Sequence, residues 1–342
     1  MTGLSRAEFD RLVWLLEPLW EEARARRVEE ERAAKKLVRR NAVGAGKPPL
    51  PFRSRLFVVL MVLRTNLPLR TVEAQYGVGK DLVSRSTRQL VELVGGLGVA
   101  GPGGERLDGP GLERLLRAMA GPAAGNGPGG GEDVADGDDE GGHGGGVGAG
   151  EGTCQGSGVG DGDSLEGASG GVIVDGTFTR VGRPRGWLAQ KELYSSHRGC
   201  HCLVYQACCD LDGNLLWVSA PFPGSTHDLA ALERTPLAGL LASTNAPVLF
   251  DKGYQGAVDR FGLRAGRVFL PARKPPRGAL SDADKDFNRF IASLRVKVEH
   301  VNEKIKNWKV LGYYRGRRDR FGAVLQAVAV LATLSNRMKM TA

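Results

Sequence analysis

Apolar positions recur at helical spacing through the first hundred residues and give way to strand-like runs after residue 171. Phe9, Leu12, Val13, Leu15, Leu16, Leu19 and Trp20 predict a helix within 4–42, which continues into the charged stretch Glu21–Arg40. Gly44–Pro51, with three prolines, reads as a linker. Three shorter helices follow: Arg53–Arg64, Leu69–Tyr76 stopped by Gly77, and Asp81–Leu93 halted at Gly95-Gly96. Helix, glycine-containing turn, helix is the helix-turn-helix pattern, whose second helix enters the DNA major groove. From 172 the pattern is α/β. Val172–Val174 predicts a buried strand ending in Asp175, and Cys200–Asp210 a second. Asp212-Gly213-Asn214 is a turn that makes Leu215–Phe222 the hairpin partner. Ala246–Phe250, ending in Asp251, and Val268–Pro271 are further strands, and Asp228–Leu241, Ser281–Leu311 and Arg320–Met338 are helices. That order is the order of a ribonuclease-H-like fold.

The stretch between these halves has a different composition. Residues 121–171 hold 22 glycines, ten acidic residues and no Lys or Arg. Such a segment buries too little apolar surface to offset its ordering entropy. The fold class expected is therefore α/β: a ribonuclease-H-like catalytic domain preceded by an all-α helix-turn-helix domain, with a disordered Gly-rich insert. The expected boundaries are 1–52 for the N-terminal helical region and linker and 53–96 for the helix-turn-helix domain. An acidic linker, mostly disordered, takes 97–171, with a short helix at Leu112–Met119, and the catalytic domain takes 172–338.

Composition narrows the class. Of 342 residues 42% are hydrophobic and 25% charged, which excludes a chain disordered throughout, a collagen or a disulfide scaffold. Apolar runs such as Leu56–Leu63 are far short of a membrane span, and Met1-Thr2-Gly3-Leu4 lacks the apolar region of a signal peptide. Cys200, Cys202, Cys208 and Cys209 crowd together, with Cys154 apart, which is no disulfide framework. An intracellular setting follows, a bacterial cytoplasm or a nucleus. Strand alternation puts Cys200 and Cys202 on one face and His201 on the other, so a zinc site is not indicated. The net charge is +9, and outside 121–171 it is +19. A body that basic points to a polyanion partner, double-stranded DNA first of all.

Candidate chemistry lies on the predicted α/β part. Asp175 and Asp251 each end a strand before a glycine-containing turn, at the sheet edge where sites form. On the long helix, Arg295, Glu299 and Lys306 fall within about 40° of one another at 100° per residue. Asp175, Asp251 and Glu299 suit hard oxygen-seeking cations, Mg²⁺ or Mn²⁺. Two such ions support phosphodiester displacement by activating the attacking oxygen and stabilising the leaving one. Asp228, after Gly224-Ser225-Thr226-His227, is either a further acid near the metals or part of a helix start capped by Ser225 or Thr226. Lys80, Ser84, Arg85 and Arg88, on or just before the third helix, are expected to face DNA, with Leu82, Val83, Leu90 and Val91 inward. Arg183, Arg185, Lys191 and Arg198, and the cluster Arg315, Arg317, Arg318 and Arg320, are candidates to track phosphates. Trp187 is a candidate to stack on a base, with packing as the alternative.

These motifs together resemble a known family. Val174-Asp175-Gly176-Thr177, Gly224-Ser225-Thr226-His227-Asp228, Phe250-Asp251-Lys252-Gly253-Tyr254 and Val298-Glu299-His300-Val301-Asn302 resemble, in order, the DDE-superfamily transposases of the PIF/Harbinger type and related bacterial insertion-sequence transposases. The 47 residues between Asp251 and Glu299 are similar to that family's spacing. Of the bacterial signature Tyr-x2-Arg-x3-Glu-x6-Lys, Arg295, Glu299 and Lys306 match, while Ala292 stands at the Tyr position. The segment Arg55–Leu93 resembles the family's N-terminal helix-turn-helix. The resemblance implies a DNA transposase or endonuclease that acts on element ends, with Asp175, Asp251 and Glu299 as catalytic metal ligands. It further implies DNA contacts from Arg295 and Lys306, and a homo-oligomer on DNA. The alternative is a domesticated, catalytically idle DNA-binding protein, against which the presence of all three acids argues.

Overall fold

The structure is a computed structural model that describes residues 2–33, 50–102, 105–120 and 170–338. The expectation of disorder over 121–169 lies outside the described residues, as does the linker at 44–49. The first helix is α1 (Arg6–Ala33). Then come α2 (Phe52–Thr65), α3 (Leu69–Tyr76) and α4 (Lys80–Gly96). Local chemistry sets their ends. Asn66 and Gly77 take the left-handed conformation after α2 and α3, and Pro68 precedes the first turn of α3. Helix α4 stops within the Gly95-Gly96 pair as expected, at Gly96, and Gly95 lies against Gln326 and Ala327 of a helix near the C-terminus.

Residues 99–102 and 105–120 are not linker. They form the strand pair β1 (Val99–Ala100) and β2 (Arg106–Leu107), then helix α5 (Gly109–Ala120). Leu112 and Leu116 of α5 are buried in the main core. The expected short helix at Leu112–Met119 is the central part of α5.

The α/β part begins with β3 (Val172–Val181). Next come α6 (Trp187–Leu193), β4 (Tyr194–Ser195), β5 (Cys200–Asp210), β6 (Leu215–Val218) and β7 (Phe222–Pro223). Helices α7 (Asp228–Glu233) and α8 (Pro236–Thr244) replace the single helix expected, since Pro236 can begin a helix but not continue one. Strand β8 (Val248–Leu249), α9 (Ala257–Phe261), β9 (Val268–Phe269) and the long α10 (Asp282–Lys306) follow. The chain ends with β10 (Tyr313–Tyr314), α11 (Phe321–Ala332) and α12 (Leu334–Met338).

The sheet runs β6–β5–β3–β8–β9, with β5 antiparallel to β3 and β6, and β3, β8 and β9 parallel. Along the chain, the expected run of three strands, helix, strand, short helix, strand and long helix is present, with α6, β4, β7 and β10 in addition and the first helix divided in two. One expectation is corrected: Asp175 does not end its strand. Thr177, Phe178, Thr179 and Val181 continue the alternation, and β3 pairs with β5 over nine registered positions and with β10 at its far end. Asp175 therefore sits mid-strand opposite Ala207. Asp251 does stand just past the end of β8, with Phe250 between.

One hydrophobic core joins both halves. Leu12 and Leu16 of α1, Leu56 and Leu60 of α2, and Leu90 and Val94 of α4 belong to the cluster that contains the sheet. Helix α4 packs along α11, which is buried nearly all round. A smaller cluster of Val58, Met61, Val72 and Val83 ties α2, α3 and α4 together. No helix among the described residues is long and apolar enough to cross a membrane.

Helix α10 carries half of the candidate site, and its start is fixed by Ser281. The Ser281 hydroxyl accepts from the Asp284 backbone N–H at 3.0 Å. Asn288 then ties the helix to the chain leaving β9 through two bonds with the Ala272 backbone, 2.7 and 3.2 Å. Ser281→Ala is expected to lower stability by about 1 kcal/mol, read by chemical denaturation, with Ser281→Asp restoring it.

Candidate active site

Three carboxylates meet at the mouth of the sheet. Asp175 rises from the middle of β3, Asp251 stands just beyond β8, and Asp228 opens α7. Their closeness rests on glycines. A Cβ on Gly176 would lie 2.2 Å from Asp228 Oδ1, and one on Gly253 would lie 2.9 Å from both Asp228 Oδ2 and Asp251 Oδ1. Only bare backbone on both sides leaves room for the Asp228 carboxylate. Asp251 Oδ1 also accepts from the Gly253 N–H at 2.7 Å, so this residue caps its turn and faces the site at once.

Helix α10 lays a cationic face over the acids. Arg295 reaches Asp175 Oδ1 at 3.4 Å and Asp251 Oδ2 at 3.9 Å. The buried Asn302 donates from Nδ2 to Asp175 Oδ2 at 3.0 Å. Lys306 lies with Arg198 over the Phe178 ring, 4.9 and 5.0 Å from its centroid. Glu299 is exposed on the same helical face, and Asp175 feels its charge without touching it. The shared face of Arg295, Glu299 and Lys306 is thus the face turned to Asp175.

Burial pushes the Asp175 carboxyl up to about 6; Arg295 pulls it down, and the charges of Asp251, Asp228 and Glu299 add to the rise. Burial also raises Asp228, against Arg198, with Asp251 adding to the rise. Lys306 is lowered by burial, against the pull of Asp175. The folded value of Asp175 lies above its ordinary one. Its contribution to stability is therefore present below about pH 4 and lost as pH rises through 6. The charged cluster is kept at the expense of stability, as functional sites commonly are.

Asn302 and Gln206 are site residues that the strand and helix patterns did not single out. Asn302 falls about 20° from Arg295 on the helical wheel, so the same arithmetic that joined Arg295, Glu299 and Lys306 contained it. Gln206, paired with Gly176 across the sheet, donates to the Asp228 carbonyl at 2.8 Å and to the Tyr254 hydroxyl at 3.1 Å. Nothing local to Gln206 could have marked it. Asp228 is not part of a side-chain-capped start: His227 occupies the N-cap and neither Ser225 nor Thr226 caps the helix. Lys80, Ser84, Arg85 and Arg88 are all on α4, far along the chain from the acids, and all four are exposed. The inward set is as expected for Val83, Leu90 and Val91, while Leu82 is half-buried. Cys200, Cys202, Cys208 and Cys209 are free thiols, the last three buried.

This geometry agrees with what the chain is similar to. Residues 174–336 match the family described as DDE superfamily endonuclease. That match covers just under half of the chain, and it is the α/β part that is similar to a DDE superfamily endonuclease. A probable transposase for insertion sequence element IS702 from Microchaete diplosiphon is 31% identical over 152 residues, covering 44% of this chain and 52% of that protein. The chain thus spans about half the length of this curated relative. No solved structure matches it. The matched DDE domain begins at Val174 and contains every acid of the cluster, whereas α1 to α5 lie outside it.

DDE superfamily nucleases generally use divalent metals, and the residues can be tested against that need. No three His, Cys, Asp or Glu side chains among the described residues form an ion-holding group, and Arg295 lies between Asp175 and Asp251. The donor chemistry nevertheless fits a hard cation: the acids that meet there offer carboxylate oxygens. Buried Arg295 Nε and Asn302 Oδ1 have no protein partner there. Asp175, Asp251 and Asp228, with Glu299 at the rim, are the residues that would hold the metal.

Proposed function

We propose that the chain is a DNA transposase, or an endonuclease derived from one, that cuts and joins phosphodiester bonds with Asp175, Asp251 and Glu299. The observation that carries this reading is the gathering of Asp175, Asp228 and Asp251 under the Arg295–Lys306 face of α10, inside the DDE domain. The α/β part is read as ribonuclease-H-like from its strand order. When bound, Mg²⁺ or Mn²⁺, two ions in this reading, activates the attacking oxygen and stabilises the leaving one. The chain's own residues do the rest. Asn302 holds the Asp175 carboxylate in one orientation. Arg295 balances the acids and, once DNA enters, is placed to hold a phosphate. Lys306 supplies a second cation on the same face. Asp228 is an additional oxygen donor held in the glycine gap. A supercoiled plasmid incubated with the protein and Mg²⁺ should be nicked and linearised, and EDTA should stop both. Absence of any nicking with either ion leaves the idle DNA-binding alternative.

DNA recognition is assigned to α4 as the second helix of a helix-turn-helix, and the protein is proposed to pair element ends as a homo-oligomer. Basic side chains gather there: Arg55 is lowered by burial and by the nearby charges of Arg24 and Arg85. Arg85→Ala and Arg88→Ala together should weaken duplex binding and reduce the salt slope by about two, one for each phosphate no longer neutralised. Titrations of labelled duplex at several salt concentrations check both. An unchanged slope would move recognition elsewhere on the chain.

A further inference from the structure

Helix α6 presents two large apolar side chains to water. Trp187 is 72% exposed and Leu188 74%, the most exposed large hydrophobic residues among those described. The packing role open to Trp187 in the sequence is thereby removed. The helix is nonetheless held firmly. Leu193 at its far end is buried, and the Ser225 N–H donates to the Glu192 carbonyl at 3.0 Å. Gln190 clamps its start: it accepts from Arg183 Nε at 3.0 Å and donates to the Pro184 carbonyl at 2.9 Å. A rigid mount that carries an unpacked indole is an arrangement for contact, not for core stability.

Beside this mount lies a groove of about 1000 Å³ between the end of β3 and the segment around β10. Arg183, Arg315, Arg317 and Arg318 line it, against the single carboxylate of Asp319, which is tied to Arg317 at 2.8 Å. Tyr313 is half-exposed on its wall with Arg315 over the ring, 5.6 Å from the centroid. Pro184 belongs to the groove and to the clamp on α6, so the two features share a rim.

We propose that Trp187 stacks on an unpaired DNA base at a junction of single and double strand, while the arginine groove holds the adjoining backbone. This rests on the DNA-cutting reading above. An apolar protein partner would have to strip water from four guanidinium groups, whereas a nucleic acid satisfies both features, with anionic backbone for the arginines and a base face for the indole. The placement suits a substrate already in the site. Val181 at the groove lies six residue steps along β3 from Asp175, about 20 Å of strand, or about six nucleotides of B-form backbone. The bond from Ser225 to Glu192 joins α6 to the loop that carries Asp228. A base held by Trp187 would therefore report on strand opening near the acids.

The test uses the full chain in EDTA and two fluorescent probes: a blunt duplex of about 20 base pairs, and the same duplex with a single-stranded tail of about six nucleotides. Wild type should bind the tailed probe about tenfold more tightly. Trp187→Ala should erase that preference and leave blunt-duplex affinity and melting temperature unchanged, while Trp187→Phe keeps the preference. Arg317→Ala with Arg318→Ala should lower the salt slope on both probes. A wild type without preference, a Trp187→Ala variant that retains it, or a Trp187→Leu variant as good as Phe would overturn the stacking role. Tail preference in a protein that nicks no plasmid would keep the stacking role and sink the endonuclease reading alone.

Discussion

Asp175→Asn should reduce Mg²⁺-dependent plasmid cleavage by roughly 10³-fold or more while the protein stays folded, because it removes a ligand charge at the centre of the acid cluster. Asp251→Asn should do the same. Glu299→Gln should also abolish cleavage, although Glu299 stands exposed at the rim. The stability readout separates a site role from a structural one. Burial and three neighbouring acids hold Asp175 up to about 6, so at pH 8 its charge opposes folding even with Arg295 beside it. Neutral Asn keeps an oxygen for Asn302 and removes that opposition. A gain of about 1–3 kcal/mol is expected at pH 8, shrinking as pH falls toward 4. Near wild-type cleavage by any one of the three variants would remove that residue from the metal site. A lost fold at Asp175 would make its role structural.

Gly224→Ala should be the most damaging of the glycine substitutions around the site. A Cβ there would stand 2.3 Å from the Leu193 carbonyl oxygen, and 2.8 Å from both the Cys202 carbonyl oxygen and its sulfur. Two of these atoms are backbone, one at the end of α6 and one inside β5, and neither can step aside without breaking its element. The expected loss is roughly 3 kcal/mol, or roughly 5–10 °C in melting temperature. Cleavage should fall further than stability does, since Gly224 leads directly to the loop that places Asp228. Gly239→Ala is the control: it lies within α8 with nothing near the added methyl, and should be neutral or slightly stabilising. Equal melting temperatures for the two variants would show that the chain around Gly224 yields more easily than its packing implies.

Much of this protein is written locally in its sequence. The bounds of Cys200–Asp210 and Leu69–Tyr76 are as the pattern predicts, because an unbroken β-prone run and a glycine stop are properties of neighbouring residues. The helical face of Arg295, Glu299 and Lys306 is fixed by the pitch of the helix alone. The ordered motifs were enough to indicate the DDE superfamily, since they place the acids on successive elements of one domain.

What the sequence could not show depends on residues far apart in the chain. Strand β3 runs past Asp175 because β5 and β10 pair with its second half. Helix α4 packs along α11, and Ala100, Leu112 and Leu116 are drawn into the core by partners more than a hundred residues away. Asp228 joins Asp175 and Asp251 only where Gly176 and Gly253 leave a gap, and Asn302 finds its purpose only when α10 crosses β3. Trp187 is apolar in composition yet exposed in space, and no periodicity distinguishes it from a core residue. Propensities and helical pitch act over a few residues, so most of the elements and the candidate acids could be read from the sequence. Burial and hydrogen bonding act between whichever residues the fold brings together, so the tertiary structure alone decided where the elements end, which acids meet, and which aromatic is left facing water.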